Sequence, residues 1–245
     1  MPKGLLDSRE YWQSHRWDRD LEHGRAPRAI QAELQHQEEM TVSAVRELAS
    51  GPNQPLSVLD LPVGTGRIAR LLCIAIPSMC LKIGDINYGT LRLARSRVSS
   101  AGLKADAVCI DAYDVGTCFP RAFDVVVCLD FLSHVSDLTC FMSSVADSLK
   151  PKGLFIANVL TAERFAEYEF VKYGWVKAKR RAILREVSKA FYPFAPYPLR
   201  YGIRRWGVAR IEGASRETVY QVLRHRFHSP EVVSTFYHWF RAQLK

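Results

Sequence analysis

The sequence has no apolar run near the roughly 20 residues that a membrane-spanning helix requires. Its longest, VVVCL (125–129) and LFIANVL (154–160), suit buried strands instead. No CxxC pair occurs among the six cysteines (73, 80, 109, 118, 128 and 140), and no HxxxH or HExxH pair among the seven histidines. No metal site is therefore legible. Several cysteines sit inside apolar runs, and all six are read as reduced core residues of a cytosolic protein. Internal repeats and low-complexity tracts are missing, which excludes solenoids and disordered chains. The opening MPKGLLDSREYW lacks the apolar core of a secretory signal, so a cytoplasmic address is the expectation.

What is present is ordinary in bulk and uneven in charge. The 245 residues suit one large domain, or one domain with an elaboration. Hydrophobic residues make up 48% and charged residues 24%, as in soluble globular proteins. The net charge of +9 belongs to one end. Residues 151–245 hold 18 Lys/Arg against 7 Asp/Glu, and residues 1–150 hold 16 against 18. Such asymmetry points to an anionic surface, a polyanion or an acidic substrate, or to a merely solvated basic face.

Residues 1–50 read as helical, with a continuous helix from Ala29 to Leu48 that ends at the turn cluster Ser50-Gly51-Pro52-Asn53. From Leu56, short apolar runs alternate with helical segments. Strands are expected at 56–61, 81–86, 105–111, within 123–132, and at 154–159. Helices are expected at 67–76, 88–101 and 137–149. This alternation implies an α/β fold, a doubly wound and mostly parallel sheet with helices on both faces. The alternation then stalls. Residues 162–190 read as a basic helical stretch and 191–202 as an irregular one. WGVARIEG (206–213) and VVSTFYHWF (232–240) read as the last two strands, flanking a helix capped by Ser215. The organisation expected is a helical lid (1–50), a cofactor-binding core (51–160), a basic helical insertion (161–205) and a segment completing the core (206–245).

The most informative segment is VLDLPVGTGR (58–67), in which a strand ends at Asp60 and a turn with Gly64 and Gly66 opens a helix. Glycines there let a ligand lie against the main chain, and a helix N-terminus adds free N–H donors. Asp85 ends the second strand, where a carboxylate can accept both hydroxyls of a ribose. Asp111-Ala112 ends the third, where an acid can meet an adenine amine beside a small residue. Ala69 completes a GxGxxA form, so hydride transfer stands as a competing nucleotide reading.

As a set, these segments resemble the class I S-adenosylmethionine-dependent methyltransferases, whose Rossmann-like fold they imply. VLDLPVGTGR resembles the first motif, GDIN (84–87) the second and DA (111–112) the adenine-side motif. FDVVVCLDFLSHV (123–135) resembles the fourth strand with its substrate-facing loop, and LKPKGLF (149–155) the turn into strand five. Pro62 and Lys152 depart from the family pattern, each standing where it has glycine.

The resemblance implies S-adenosylmethionine as cofactor and S-adenosylhomocysteine as product. Gly64, Thr65 and Gly66 would lie under the methionine and ribose, with Arg67 also among the cofactor-binding residues. Asp60 would meet the amino group, Asp85 the ribose, Ile86 the adenine face, and Asp111 and Ala112 the adenine edge. Leu129 would offer its carbonyl to the methionine ammonium. His134 and Asp130 are the candidate bases for a hydroxyl acceptor. Tyr11, Trp12 and Trp17 would close a lid, and Trp175 would contact the acceptor.

The acceptor expected is a small or lipid-linked molecule, O- or N-methylated, with peripheral contact at an anionic membrane surface. The alternatives are an RNA-modifying enzyme that uses the basic C-terminal part, and a catalytically inactive cofactor-binding partner protein.

Overall fold

The computed structural model describes residues 24, 26–49, 55–135, 137–160, 162–191, 216–228, 231–234 and 238–245. The expectations for Tyr11, Trp12, Trp17, the strand at 206–213 and the Ser215 cap lie outside those residues.

The elements are α1 (Arg28–Ala49), β1 (Ser57–Asp60), α2 (Arg67–Ala75), β2 (Cys80–Asp85), α3 (Tyr88–Ser100) and β3 (Asp106–Cys109). They continue with a short α4 (Val115–Cys118), β4 (Phe123–Cys128), α5 (Leu138–Ser148), β5 (Leu149–Val159), α6 (Ala162–Tyr173) and α7 (Trp175–Phe191). The last are α8 (Arg216–Arg226), β6 (Glu231–Ser234) and β7 (His238–Gln243).

One seven-stranded sheet runs in the order β3-β2-β1-β4-β5-β7-β6. Strands β1 to β5 pair in parallel, while β7 is antiparallel to both β5 and β6. The chain winds outward from β1 to β3, then returns to lay β4 on the other side of β1. That reversal opens a crevice beyond the carboxyl ends of β1 and β4, where ligands of such sheets bind.

The core forms because the central strands are apolar on both sides. Val125 and Val127 face one layer with Val58, Ile83 and Ile156, under α1, α2 and α3. Val126 and Cys128 face the other with Phe155 and Ala157, under α5 and α8. This is the two-residue alternation of a strand buried on both faces. The ring of Phe155 lies within 6.5 Å of the Phe141, Phe227 and Phe240 rings.

Three expectations need correction. The run 232–240 is not one strand: β6 and β7 pair antiparallel, with Ser234 opposite His238. The KPKG turn is part of β5, as a bulge. Between Phe123 and Val125 of β4, the partner residues jump from Leu149 to Leu154, and Lys152 takes φ 62°. Only Cys73 and Cys128 are buried, while Cys80, Cys109, Cys118 and Cys140 are exposed. For Cys109 the apolar run overstates burial because β3 is the outermost strand among the described residues.

The helical stretch 162–190 breaks once, at Gly174. Its φ of 75° suits glycine, and its N–H donates to the Phe170 carbonyl at 2.9 Å, closing α6. Replacing the fully buried Phe155 by alanine is expected to cost about 3–5 kcal/mol in urea unfolding, the usual range for a core phenylalanine. A loss below about 1 kcal/mol would mean that the aromatic layer is not tightly packed.

Candidate functional site

The site lies where β1, β2 and β4 end. After Asp60 the chain crosses toward β2: the Val63 N–H donates to the Gly84 carbonyl at 2.8 Å, and the Gly64 N–H to Asp85 Oδ2 at 3.2 Å. The Asn87 N–H donates to Asp85 Oδ1 at 2.8 Å. Asn87 also caps α3, its Oδ1 accepting the Thr90 N–H at 3.0 Å. The Asp85 carboxylate is thus held from two loops. Burial raises its pKa and the N–H groups of Asn87, Gly64 and Ile86 oppose the rise, with a net change from 3.8 to about 6.

The two glycines of the turn have different reasons to be glycine. A Cβ on Gly66 (φ 83°) would stand 2.9 Å from the Ala94 Cα and 3.1 Å from its carbonyl oxygen. Gly66 is therefore required by the packing of the turn on α3, rather than by a ligand. Gly64 (φ 53°) has open space where its Cβ would be, so the main chain is approachable there. Between them, the Thr65 hydroxyl is buried with no hydrogen-bond partner among the described residues. Its carbonyl accepts from Arg97 at 3.3 Å, a bond that ties the turn to α3.

The remaining sequence-derived positions sort by place. Asp60 is 3% exposed at the end of β1. Together with Asp130 it adds to the effect of burial in raising the Cys128 thiol pKa. Asp111 caps a short 3-10 turn, its Oδ1 accepting the Tyr113 N–H at 3.2 Å, and Ala112 behind it is buried. Ile86 is half-buried just past β2, and Leu129 is buried just past β4. Arg67 turns away toward α1, bonding Glu38 through Nε at 2.6 Å and through its terminal nitrogen at 2.8 Å. His134 ends a 3-10 turn (Leu132–His134), its N–H donating to the Phe131 carbonyl at 2.7 Å. Trp175 starts α7 and is 58% exposed, with the Lys179 ammonium 3.9 Å from its ring centroid.

Sequence reasoning missed the support under Asp130. This residue takes φ 59°, and its N–H donates to Oδ1 of the fully buried Asn158 on β5. The Asn158 amide donates to Asp130 Oδ1 at 3.0 Å and to Gln37 Oε1 on α1 at 2.6 Å. Gln37 donates in turn to Glu33 at 3.0 Å, and the Trp239 indole donates to Thr41 at 3.0 Å. The signal available in the sequence was Glu33, Gln37, Glu38 and Thr41 at helical spacing, a polar stripe on a buried face.

A hollow of about 490 Å³ lined by Arg121, Asp147, His225 and Arg226 lies at the opposite edge, before β4 and β5 begin. It has neither the glycine turn nor the strand-end acids.

The raised Asp85 pKa sets a stability prediction. In the folded chain Asp85 favours its protonated form, so its contribution is greatest below 3.8 and is lost as pH rises from 3.8 through about 6. At 1.36 kcal/mol per unit, that gap corresponds to about 3 kcal/mol at most. Asp85→Asn should therefore stabilise the ligand-free chain at pH 7, with the gain fading below pH 4 in urea titrations. In the same assay Gly66→Ala should destabilise more than Gly64→Ala. A reversed order would contradict the packing role of Gly66.

Comparison with known proteins agrees with this geometry. A family described as a methyltransferase domain matches residues 58–153. The ubiquinone biosynthesis O-methyltransferase of Thiobacillus denitrificans is 30% identical over 103 residues, 42% of this chain and 44% of that protein. A malonyl-[acyl-carrier protein] O-methyltransferase of Priestia megaterium is 23% identical over 115 residues, 47% of this chain and 40% of that protein. The chain thus spans less than half the length of these relatives.

Among solved structures, the PH0226 protein of Pyrococcus horikoshii superposes with TM-score 0.61 at 16% identity, covering 89% of this chain and 92% of that one. The N-methyltransferase NodS of Bradyrhizobium japonicum, solved with S-adenosyl-L-homocysteine, gives 0.57 at 15% identity over 98% of both chains. Strand order, glycine turn and family match coincide on one segment, residues 58–153, which is similar to a methyltransferase domain.

Proposed function

We propose that the chain transfers the methyl group of S-adenosylmethionine to an oxygen or nitrogen of a small or lipid-linked acceptor. The observation that carries this reading is the Asp85 cradle. A buried carboxylate, held by the N–H groups of Gly64 and Asn87, stands beside a glycine whose open side leaves room for a ligand.

The residues present fit the cofactor. The two Asp85 oxygens offer about four lone-pair sites against the N–H groups of Gly64, Asn87 and Ile86, which leaves capacity for a ribose hydroxyl. Gly64 would let the ligand lie on the main chain, and the buried Thr65 hydroxyl is available to bond it. Asp60 would face the amino group, Ile86 and Ala112 would bracket the adenine, Asp111 would meet its edge, and the Leu129 carbonyl would receive the ammonium. The Arg67 side chain, engaged with Glu38, supports the turn from outside.

When bound, S-adenosylmethionine supplies a sulfonium methyl already activated for displacement. The chain's own contribution is then largely alignment of the acceptor. Asp130, held by Asn158, fixes the loop after β4 in place. His134, four residues on, would take the proton of a hydroxyl acceptor. The names of the T. denitrificans and P. megaterium relatives favour oxygen as the methylated atom.

Calorimetry with S-adenosylmethionine and S-adenosylhomocysteine tests the first half. The parent should bind both and Asp85→Ala neither, and a parent that binds neither ends this reading. Ribose hydroxyls donate to the ionised carboxylate, so affinity should be full above pH 6. It should drop about tenfold per unit well below that, following the ionised fraction. The second half is read by methyl transfer to a panel of hydroxylated acceptors. With an acceptor in hand, His134→Ala should lower turnover by about 10²–10⁴ at saturating acceptor, and unchanged turnover removes the role.

A further inference from the structure

Helix α7 carries more exposed apolar surface than its place in the fold explains. Val176, Ile183, Leu184 and Val187 are between 48% and 65% exposed. Val176, Ile183 and Val187 stand at i, i+7 and i+11, so they form one stripe along the helix, with Leu184 beside it. Cations border the stripe. Lys179 lies on one side, while Arg180 and Lys177 lie on the other, and all three are exposed. Glu186 is the single acid of α7 against six cations in its sequence.

The helix is anchored by its opposite face. Arg181 bonds Glu169 of α6 at 3.2 Å and lies 4.4 Å from the Tyr173 ring centroid, while Ala178 and Ala182 are half-buried. The stripe therefore points outward as a consequence of fixed packing. Its location also matters. Helix α6 follows the carboxyl end of β5, and its Tyr168 packs with Leu160 of the preceding link on Ile30 and Leu34 of α1. The α6–α7 pair thus rises from the same sheet edge as the glycine turn.

We infer that the outer face of α7 docks on an anionic lipid bilayer. An aliphatic stripe flanked by lysine and arginine is what the boundary between acyl chains and acidic headgroups accepts, the stripe entering and the cations meeting phosphate. Other occupants fit worse. A nucleic acid needs planar side chains on which bases stack, whereas the stripe itself is aliphatic. A second copy would set Lys177, Lys179 and Arg180 against their own kind. The inference needs no cofactor in the pocket, so it stands or falls apart from the proposed reaction.

Co-sedimentation of the full chain with vesicles tests it at low salt. Phosphatidylcholine vesicles containing about one third phosphatidylglycerol should bring the protein down, pure phosphatidylcholine should not, and salt should release it. Ile183→Glu/Val187→Glu and, separately, Lys177→Glu/Lys179→Glu should each lower the bound-to-free ratio by about tenfold or more. Unchanged circular dichroism and unchanged calorimetry with S-adenosylhomocysteine would show that both variants are folded. Three outcomes overturn the inference: no sedimentation with the anionic vesicles, equal binding by parent and both variants, or displacement from vesicles by single-stranded RNA at stoichiometric amounts.

Discussion

A carboxylate removed from water is the constraint on which the site depends. Asp85 is 6% exposed, and burial disfavours its charged form, raising its pKa above the usual carboxylate range. Backbone N–H groups from two loops oppose that tendency, and one of them, Gly64, comes from the turn after the neighbouring strand. The turn reaches β2 because Gly66 takes a left-handed conformation and lies directly on Ala94 of α3. A packing requirement at one glycine thereby becomes an electrostatic one at the acid, whose buried charge further hydrogen-bond donors would stabilise.

Helix α1 plays the corresponding part on the other side of the crevice. Its buried polar residues meet three separate pieces of the core. Glu38 pairs with Arg67 at the start of α2, Gln37 meets Asn158 on β5, and Thr41 accepts from Trp239 on β7. Such groups are costly to bury unless satisfied, and once satisfied they admit few alternative registers. The network reaches Asp130, so the loop that would face the acceptor is held by a helix far from it in sequence. Cofactor side and acceptor side thus rest on different supports, α3 for the first and α1 with β5 for the second.

The order of elements, the parallel sheet and the three strand-end acids were legible because each is a local pattern: alternation, a glycine turn, an acid after an apolar run. The Asn158 support was not legible, since an asparagine inside LFIANV gives no hint of partners 121 residues away on α1 and 28 away at Asp130. The division of labour between the glycines was equally hidden, because both satisfy the same motif and only Ala94 distinguishes them. The run 232–240 misled for a related reason. Its β-forming residues are continuous, but β6 and β7 are two strands paired antiparallel, with Ser234 opposite His238.

By itself, the sequence determined which residues could form strands, where the chain must turn, and which acids would stand at strand ends, since those follow from side-chain volume, period and backbone freedom. Tertiary structure alone decided how strongly Asp85 is desolvated, which way Arg67 and Trp175 point, and that the stripe on α7 faces outward. These depend on what lies across the fold from each residue, and neighbours brought together by packing leave no mark on the local order of the chain.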